Sequence, residues 1–265
     1  MSLHDDLFQL LWQDYLAMTP QAQRVSDLLQ SRGESIVNDH IALRTFAHER
    51  VDIEVLDRAF VEAGYEPIES YEFVEKKLVA CHYEHAERNR PKIFISALLL
   101  DECSSGLRDT VSTLLGQVPP GLEADWRFPV SGRPWKLSHS DYLSLLDESA
   151  YAAWLAAFGF RANHLTVAAH RLKTVDSLPA LNAILLEEGF VLNESGGTIK
   201  GSAAVGLEQS STIAESIPVG FIDGSFDIPS CYYEFAYRHA LPSGELFEGF
   251  IADSATHLFD STNVQ

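Results

Sequence analysis

Alternating polar and apolar positions over residues 38–46 predict a β-strand with one polar face. Successive side chains of a strand point to opposite faces, which places together His40, Ala42 and Arg44. The other face, with Ile41 and Leu43, predicts apolar packing. Because small Ala42 separates two long polar residues, their face has room for a ligand. His40 and Arg44 are therefore candidate site residues; the alternative is a half-buried histidine and an ion-paired arginine.

The same pattern returns in the second half of the chain, where Asn163 and His164 begin another strand-like run. Each histidine is followed by an amphipathic helical segment, over residues 51–63 and 175–188, and then by glycine and an aromatic residue. The glycine falls 24 residues after His40 and 25 after His164. Such a repeated unit indicates a duplicated module of order β-α-β-β-β. Equivalent histidines of two such modules are expected to converge near a pseudo-symmetry axis.

These elements predict an α+β fold with tandem βαβββ modules forming one compact unit. We expect N-terminal helices over residues 1–35 that pack on the first module, and that module over 36–100, with strands at 71–83 and 92–99. A helical insertion is predicted over 101–160, with aromatic residues that pack on the surface or, alternatively, cover the site. The second module takes 161–265, with a final strand at 244–252 and an irregular tail. The length of 265 residues suits two fused modules of ordinary size.

The composition excludes several classes of protein. A net charge of −19, from 19 basic and 38 acidic residues, argues against nucleic-acid or anionic-membrane partners. No apolar run is long enough to span a membrane, and the acidic N-terminus does not resemble a signal peptide, so we expect a cytoplasmic location. Three widely spaced cysteines indicate neither a zinc site nor a disulfide framework. The oligomeric state is left open.

Glu234 is the most informative residue of the late sequence, because it is a lone carboxylate in a β-prone run of tyrosine, phenylalanine and cysteine. Burying it is costly unless it is paired or bound to a metal. With His40 and His164 it makes a two-histidine, one-carboxylate set, which is typical of non-haem Fe(II) oxygenases. Zinc accepts the same donors, so the residues alone leave the metal open. The alternative is a salt bridge from Glu234 to Arg44 or Arg238.

Seven runs, in chain order, resemble the 2-oxoadipate dioxygenase/decarboxylase family, also called hydroxyglutarate synthase. They are Asn38-Asp39-His40-Ile41-Ala42-Leu43-Arg44-Thr45-Phe46, Glu75-Lys76-Lys77-Leu78, Pro91-Lys92-Ile93-Phe94-Ile95-Ser96, Asn163-His164-Leu165-Thr166, Gly196-Gly197-Thr198-Ile199-Lys200-Gly201-Ser202, Gln209-Ser210-Ser211-Thr212 and Tyr232-Tyr233-Glu234-Phe235-Ala236. The resemblance implies a vicinal-oxygen-chelate fold, related to glyoxalases and dioxygenases, with Fe(II) held by His40, His164 and Glu234. It also implies a substrate-binding role for Arg44.

The reaction implied by this resemblance converts 2-oxoadipate and O2 into 2-hydroxyglutarate and CO2. The partners would be a small anionic 2-oxo acid and O2, and Arg44 would clamp the distal carboxylate of the acid with its two-pronged guanidinium. Lys77 and Lys200 are weaker candidates for additional positive charge. Gln209 and Ser211 belong to a polar cluster that either lines the site or forms a loop.

Two other functions remain alternatives. The first is an oxygen-independent Zn or Ni lyase or isomerase of glyoxalase type, which by analogy would need a fourth protein ligand. Glu72 and Glu75 are the candidates for that ligand. The second is a non-catalytic module that binds a small anion. A hydrolase is not indicated, because no Gly-x-Ser-x-Gly nucleophile motif is present.

Overall fold

The computed structural model of the chain describes residues 3–251. The helices in this range are Leu3–Met18 (α1), Pro20–Ser31 (α2), Ile53–Leu56 (α3), Arg58–Val61 (α4), Ser105–Leu115 (α5), His139–Glu148 (α6), Ala150–Phe158 (α7) and Leu178–Glu187 (α8). The strands are Asn38–Phe46 (β1), Tyr65–Phe73 (β2), Leu78–His85 (β3), Lys92–Leu98 (β4), Ala162–Ala168 (β5), Lys200–Ser202 (β6), Leu207–Ser211 (β7), Ser216–Phe221 (β8), Gly224–Pro229 (β9) and Tyr232–Arg238 (β10).

Eight strands form one sheet in the order β2-β3-β4-β1-β5-β10-β7-β6. The first module supplies four neighbouring strands and the second module supplies the other four. Their first strands, β1 and β5, meet antiparallel at the centre. The hairpin β8–β9 lies outside this sheet and interrupts the second module before β10. The α+β class and the tandem βαβββ organisation are therefore confirmed.

Strand register identifies equivalent positions in the two modules. In the first, β4 runs parallel to β1 and Phe94 lies opposite Ala42, two residues after His40. In the second, β10 runs parallel to β5 and Glu234 lies opposite Thr166, two residues after His164. Phe94 and Glu234 thus occupy corresponding places in the sheet.

Three predicted elements of the modules differ from the structure. The strand expected at residues 71–83 is the hairpin β2–β3, whose polar turn includes Lys77 in a left-handed conformation, with φ of 55°. The single helix expected at 51–63 is the pair α3 and α4, separated at Asp57. The part of 244–252 that is described contains no strand of the main sheet; a β-bridge joins Leu246 to Ala240. The tail predicted after it lies outside the described residues.

The N-terminal helices were expected to pack on the first module, and the structure corrects this. Phe8 of α1 contacts rings of the first module, among them Phe60. Tyr15, further along the same helix, donates a hydrogen bond of 2.5 Å to the carbonyl of Tyr232 in β10. The helices therefore join the two modules, because their apolar faces extend across the central strands.

The region over 101–160 contains α5, α6 and α7, and most of its aromatic residues are buried, with Trp126 half-buried. Trp135 is buried, and its indole N–H donates to the carbonyl of Ala156 at 2.8 Å. Phe128 lies 4.4 Å from Phe160, measured between ring centroids. All residues of α7 after Ala150 are buried, because its sequence is almost entirely alanine and large apolar residues. The insertion is thus part of the core. Within the described range, no helix combines the length and apolar character needed to cross a membrane.

Candidate metal centre

Three neighbouring strands at the middle of the sheet bring together His40 on β1, His164 on β5 and Glu234 on β10. One potential ligand atom from each residue lies within 4.8 Å of the others. Oε1 of Glu234 is 3.4 Å from Nε2 of His40, and Oε2 is 3.2 Å from Nε2 of His164. All three side chains are buried. The predicted donor set therefore converges on one small volume.

His40 is oriented by a chain of buried polar contacts that the sequence analysis did not anticipate. Its Nδ1 lies 2.8 Å from a carboxylate oxygen of Asp39, which favours the tautomer with the proton on Nδ1. Arg238 donates two hydrogen bonds to the same carboxylate, at 2.7 and 2.9 Å. Burial alone would raise the pKa of Asp39, but Arg238 and His40 hold that pKa well below its usual range. Nε2 of His40 is thereby presented to the site, where it also lies 3.0 Å from the hydroxyl of Thr166.

The other two ligand residues also have supporting contacts. Gln209 on β7 donates a hydrogen bond of 2.7 Å to Oε1 of Glu234. Nδ1 of His164 lies 3.2 Å from the side-chain oxygen of Asn163. The ring of Tyr232 stacks on His164 with a centroid separation of 4.6 Å. Arg238, one of the two alternative salt-bridge partners considered for Glu234, is paired with Asp39.

Burial shifts the pKa values of the ligand residues in opposite directions. It raises the pKa of Glu234, against the opposing influence of His40. It lowers the pKa of His164 well below the usual value, and the nearby His40 lowers it further. Both shifts reflect the cost of isolated charge in a dry environment. A divalent cation would offset the carboxylate charge and use the imidazole lone pairs, so these residues fit a metal ion.

The cavity at these ligands has one polar end and one aromatic wall. Arg44 lines it, with the guanidinium carbon 4.9 Å from the Tyr151 ring centroid and 5.1 Å from that of Trp154. Phe94 and Phe250 form the aromatic wall, with their centroids 5.1 Å apart. An anionic ligand at the metal would therefore have one buried cation at its side and apolar rings around its chain.

The remaining candidates are placed differently. Gln209 lines the cavity and lies on a strand, which removes the loop alternative for it. Lys77 lines an adjoining cavity, which Arg44 and Tyr151 also line, and its Nζ is 3.7 Å from Glu148. Buried Lys200 donates to the carbonyl of Asn193 at 2.7 Å.

Ser211, also buried, lies opposite Glu234 in the strand register, which places it next to the ligand strand and on β7 with Gln209. The roles of Lys77, Lys200 and Ser211 in substrate binding stay predictions. A signal for the missed Asp39 was present, since metal-binding histidines commonly donate their second ring N–H to a carboxylate and Asp39 directly precedes His40.

Comparison with known proteins adds a family to this geometry. The sequence profile of the 2-oxoadipate dioxygenase/decarboxylase family matches residues 3–119 and 132–261. A chloroplastic 2-oxoadipate dioxygenase/decarboxylase of Arabidopsis thaliana is 34% identical over 94% of this chain and 74% of its own length. The chloroplastic/amyloplastic protein of that name from Oryza sativa is also 34% identical, over 94% of this chain and 76% of its own.

Solved structures of similar fold and sequence include a member of this family. Hydroxyglutarate synthase of Oryza sativa, in complex with 2-oxoadipate, has a TM-score of 0.91 and 33% identity, covering 97% of this chain and 91% of its own. A Shewanella frigidimarina protein, named only as a candidate hydrolase, has a TM-score of 0.89 and 46% identity, covering 94% and 97%. The fold and the profile match together show that this chain belongs to the 2-oxoadipate dioxygenase/decarboxylase family.

Proposed function

We propose that this protein is an Fe(II)-dependent dioxygenase that decarboxylates a 2-oxo dicarboxylic acid, converting 2-oxoadipate and O2 into 2-hydroxyglutarate and CO2. The observation that carries the proposal is the buried cluster of His40, His164 and Glu234 beside Arg44, in a chain of this family. The rice relative is a hydroxyglutarate synthase whose structure contains 2-oxoadipate, which supports this substrate class.

The donor set fits the iron that this reaction would use. Two imidazoles and one carboxylate leave coordination positions for other ligands on an octahedral ion. Bound Fe(II) would supply those positions to the 2-oxo acid and to O2. Asp39 would hold His40 in place, and Gln209 would hold Glu234. Arg44 would bind the carboxylate at the far end of the acid. Binding at both ends fixes which carbon of the substrate lies next to the metal.

The environment of the site also suits a reaction that must exclude water. The three ligand residues are buried, and Phe94 and Phe250 provide apolar walls. Arg44 is buried too, and burial lowers the pKa of its guanidinium, yet arginine remains protonated in proteins. Its charge would therefore act on a substrate carboxylate in a low-dielectric environment, where the attraction is stronger than in water.

The structure gives less support to the glyoxalase-type alternative. The place in the first module that corresponds to Glu234 holds Phe94, which cannot bind a metal. Glu72, one candidate fourth ligand, is exposed on β2, and Glu75 lines the cavity beyond Arg44 together with Lys77. Neither belongs to the described cluster of ligand atoms. A three-ligand site therefore agrees better with the proposed oxygenase.

Oxygen uptake by anaerobically Fe(II)-loaded protein on addition of 2-oxoadipate tests the proposal, with the product identified by mass. We expect one O2 consumed for each 2-hydroxyglutarate and CO2 formed. Absence of uptake with 2-oxoadipate and with shorter or branched 2-oxo acids would contradict it. Conversion of a substrate without oxygen would instead support the lyase. The cytoplasmic location stays a prediction.

A further inference from the structure

We propose that Arg238 is a positioning residue that couples the orientation of His40 to the segment 247–250, here called the covering segment. This segment carries Phe250 over the cavity at the ligand residues. The inference rests on the metal site of the proposed function. It adds that one buried guanidinium sets both the geometry of a metal ligand and the position of an aromatic wall.

Arg238 contacts both partners at once. Its Nε and one terminal nitrogen donate to the Asp39 carboxylate at 2.7 and 2.9 Å. The other terminal nitrogen donates to the carbonyls of Phe247 and Gly249 at 3.1 and 2.8 Å. Arg238 is only 3% exposed, so these contacts are shielded from solvent. The planar guanidinium holds all four hydrogen bonds in a fixed relative geometry, which lysine cannot reproduce.

Other contacts fix the covering segment in the same position. The amide of Phe247 donates to the carbonyl of His239 at 3.0 Å. Glu248 pairs with Lys92 of β4 at 2.8 Å. The ring of Phe247 packs so closely on Gly206 that a Cβ built there would lie 2.6 Å from the Cβ of Phe247. Gly206 also has a φ of 88°, which favours glycine. These contacts require a defined path for the segment.

This path places the ring of Phe250 against the metal centre. Its centroid lies 4.9 Å from that of His40, in an edge-on arrangement, and 5.1 Å from those of Phe94 and His82. Phe250 thus contacts the ring of a ligand residue, and the guanidinium carbon of Arg238 also lies 5.4 Å from the centroid of Phe250. If the covering segment moved, the cavity would lose one wall and the ring of His40 would lose its contact with Phe250.

The consequence of removing Arg238 follows from burial. Asp39 would be left as a buried carboxylate without its main counter-ion, which is costly. The carboxylate of Asp39 would then be held less firmly against Nδ1 of His40. The carbonyls of Phe247 and Gly249 would simultaneously lose their common donor. Both the metal affinity and the order of the covering segment should therefore change together.

Arg238→Lys tests this coupling with two measurements that do not depend on turnover: Co(II) affinity by titration, and amide hydrogen exchange of the peptide containing residues 247–250. We expect Co(II) binding to weaken by about 10- to 100-fold, as for other supporting residues of metal ligands. In the unmodified protein, Co(II) should slow exchange in the covering segment. In Arg238→Lys that slowing should be lost.

Two further variants separate the halves of the proposal. Phe250→Ala should raise the KM for 2-oxoadipate about tenfold, as expected for the loss of an aromatic contact, with Co(II) affinity changed much less than in Arg238→Lys. Asp39→Asn should weaken Co(II) binding and also speed exchange at 247–250, although it alters neither the segment nor Arg238. If Arg238→Lys does not fold, the Asp39→Asn variant tests the inference in its place.

Arg24→Lys is the matched control, because Arg24 of α2 also pairs with a carboxylate, that of Glu215, but this pair is exposed. It should leave Co(II) affinity and exchange at 247–250 unchanged. Folded Arg238→Lys with normal Co(II) affinity, or with Co(II)-dependent protection intact, would overturn the inference. Neither measurement uses oxygen or 2-oxoadipate. If the proposed reaction is wrong but the inference about Arg238 is right, Arg238→Lys will still change Co(II) affinity and exchange at 247–250, while the unmodified protein shows no turnover of 2-oxoadipate.

Discussion

Phe94 and Glu234 occupy equivalent positions in the two modules, each opposite the residue two places after its module's histidine. A carboxylate at both positions would complete a symmetric four-ligand site. With phenylalanine at one of them, the cluster offers a metal two histidines and one carboxylate, and an aromatic ring borders the space where a fourth ligand would lie. This asymmetry between duplicated modules creates the room that a chelating substrate and O2 would require.

Phe94→Glu should create a symmetric set of four metal ligands, with one histidine and one carboxylate from each module. We expect the new carboxylate to bind the metal and occupy a position needed by the substrate, so that turnover with 2-oxoadipate falls. The absorption spectrum of Co(II)-loaded protein should change to that of a site with an added protein ligand. Phe94→Leu is the control, since it removes the ring without adding a donor. An identical Co(II) spectrum in Phe94→Glu and Phe94→Leu would refute the equivalence.

His164→Ala should abolish bound iron, because the variant retains only one imidazole and one carboxylate of the cluster. Metal analysis of the purified, Fe(II)-loaded protein measures this directly. His139→Ala is a suitable comparison, since that histidine stacks on Phe226, with 3.7 Å between ring centroids. It should retain full metal content. Full iron stoichiometry in His164→Ala would remove this residue from the proposed site.

Arg44→Ala should retain the metal and lose turnover. We expect kcat/KM for 2-oxoadipate to fall about 10- to 100-fold, the range for loss of a charged hydrogen bond. Arg44→Lys should recover little of this loss, because lysine lacks the two-pronged geometry and the flat contact with Tyr151 and Trp154. Unaltered kinetics in Arg44→Ala, with metal bound, would rule out the carboxylate clamp.

Gln209→Leu should weaken metal binding by about 10- to 100-fold, because the amide hydrogen bond to Glu234 holds the ligand carboxylate in place. Titration of the apoprotein with Co(II) measures the change. Gln209→Glu should weaken binding for a different reason, since two carboxylates at 2.7 Å repel each other or share a proton. An affinity equal to that of the unmodified protein in both variants would show that Glu234 needs no such support.

Glu84, which contacts His82 and Lys92, should make the stability of the protein depend on pH. His82, whose Nε2 lies 3.4 Å from the carboxylate, and Lys92 together lower the pKa of Glu84 to about 2, against the opposing effect of burial. Since the unfolded value is about 4.3, this contribution to the free energy of unfolding is fully present above that value. It is lost progressively as the pH falls toward about 2.

Partial exposure of Glu84 limits the contribution to about 1 kcal/mol. Glu84→Gln should reduce the unfolding free energy by about that amount at neutral pH and flatten its decline between about pH 5 and pH 2. Urea unfolding at several pH values measures both. The same decline in the variant as in the unmodified protein would exclude Glu84 as its source.

The duplicated organisation and the three residues of the candidate metal cluster could be predicted from the sequence. Strand periodicity put His40 and Arg44 on one face, and the repeat made His164 the counterpart of His40. Glu234 was identifiable because a lone carboxylate in an apolar strand needs a partner. These inferences depend on local periodicity and on the cost of buried charge, both of which can be deduced without knowing how distant segments pack.

The distant residues that support and enclose that cluster could be identified only from the folded chain. The pairing of Asp39 with Arg238 joins residues 199 positions apart, and Phe250 reaches the site from a segment predicted as a strand. The equivalence of Phe94 and Glu234 likewise required the strand register, because the β8–β9 hairpin lengthens the second module and hides the correspondence in sequence. Such long-range contacts leave no local periodicity in the chain, and packing alone selects them.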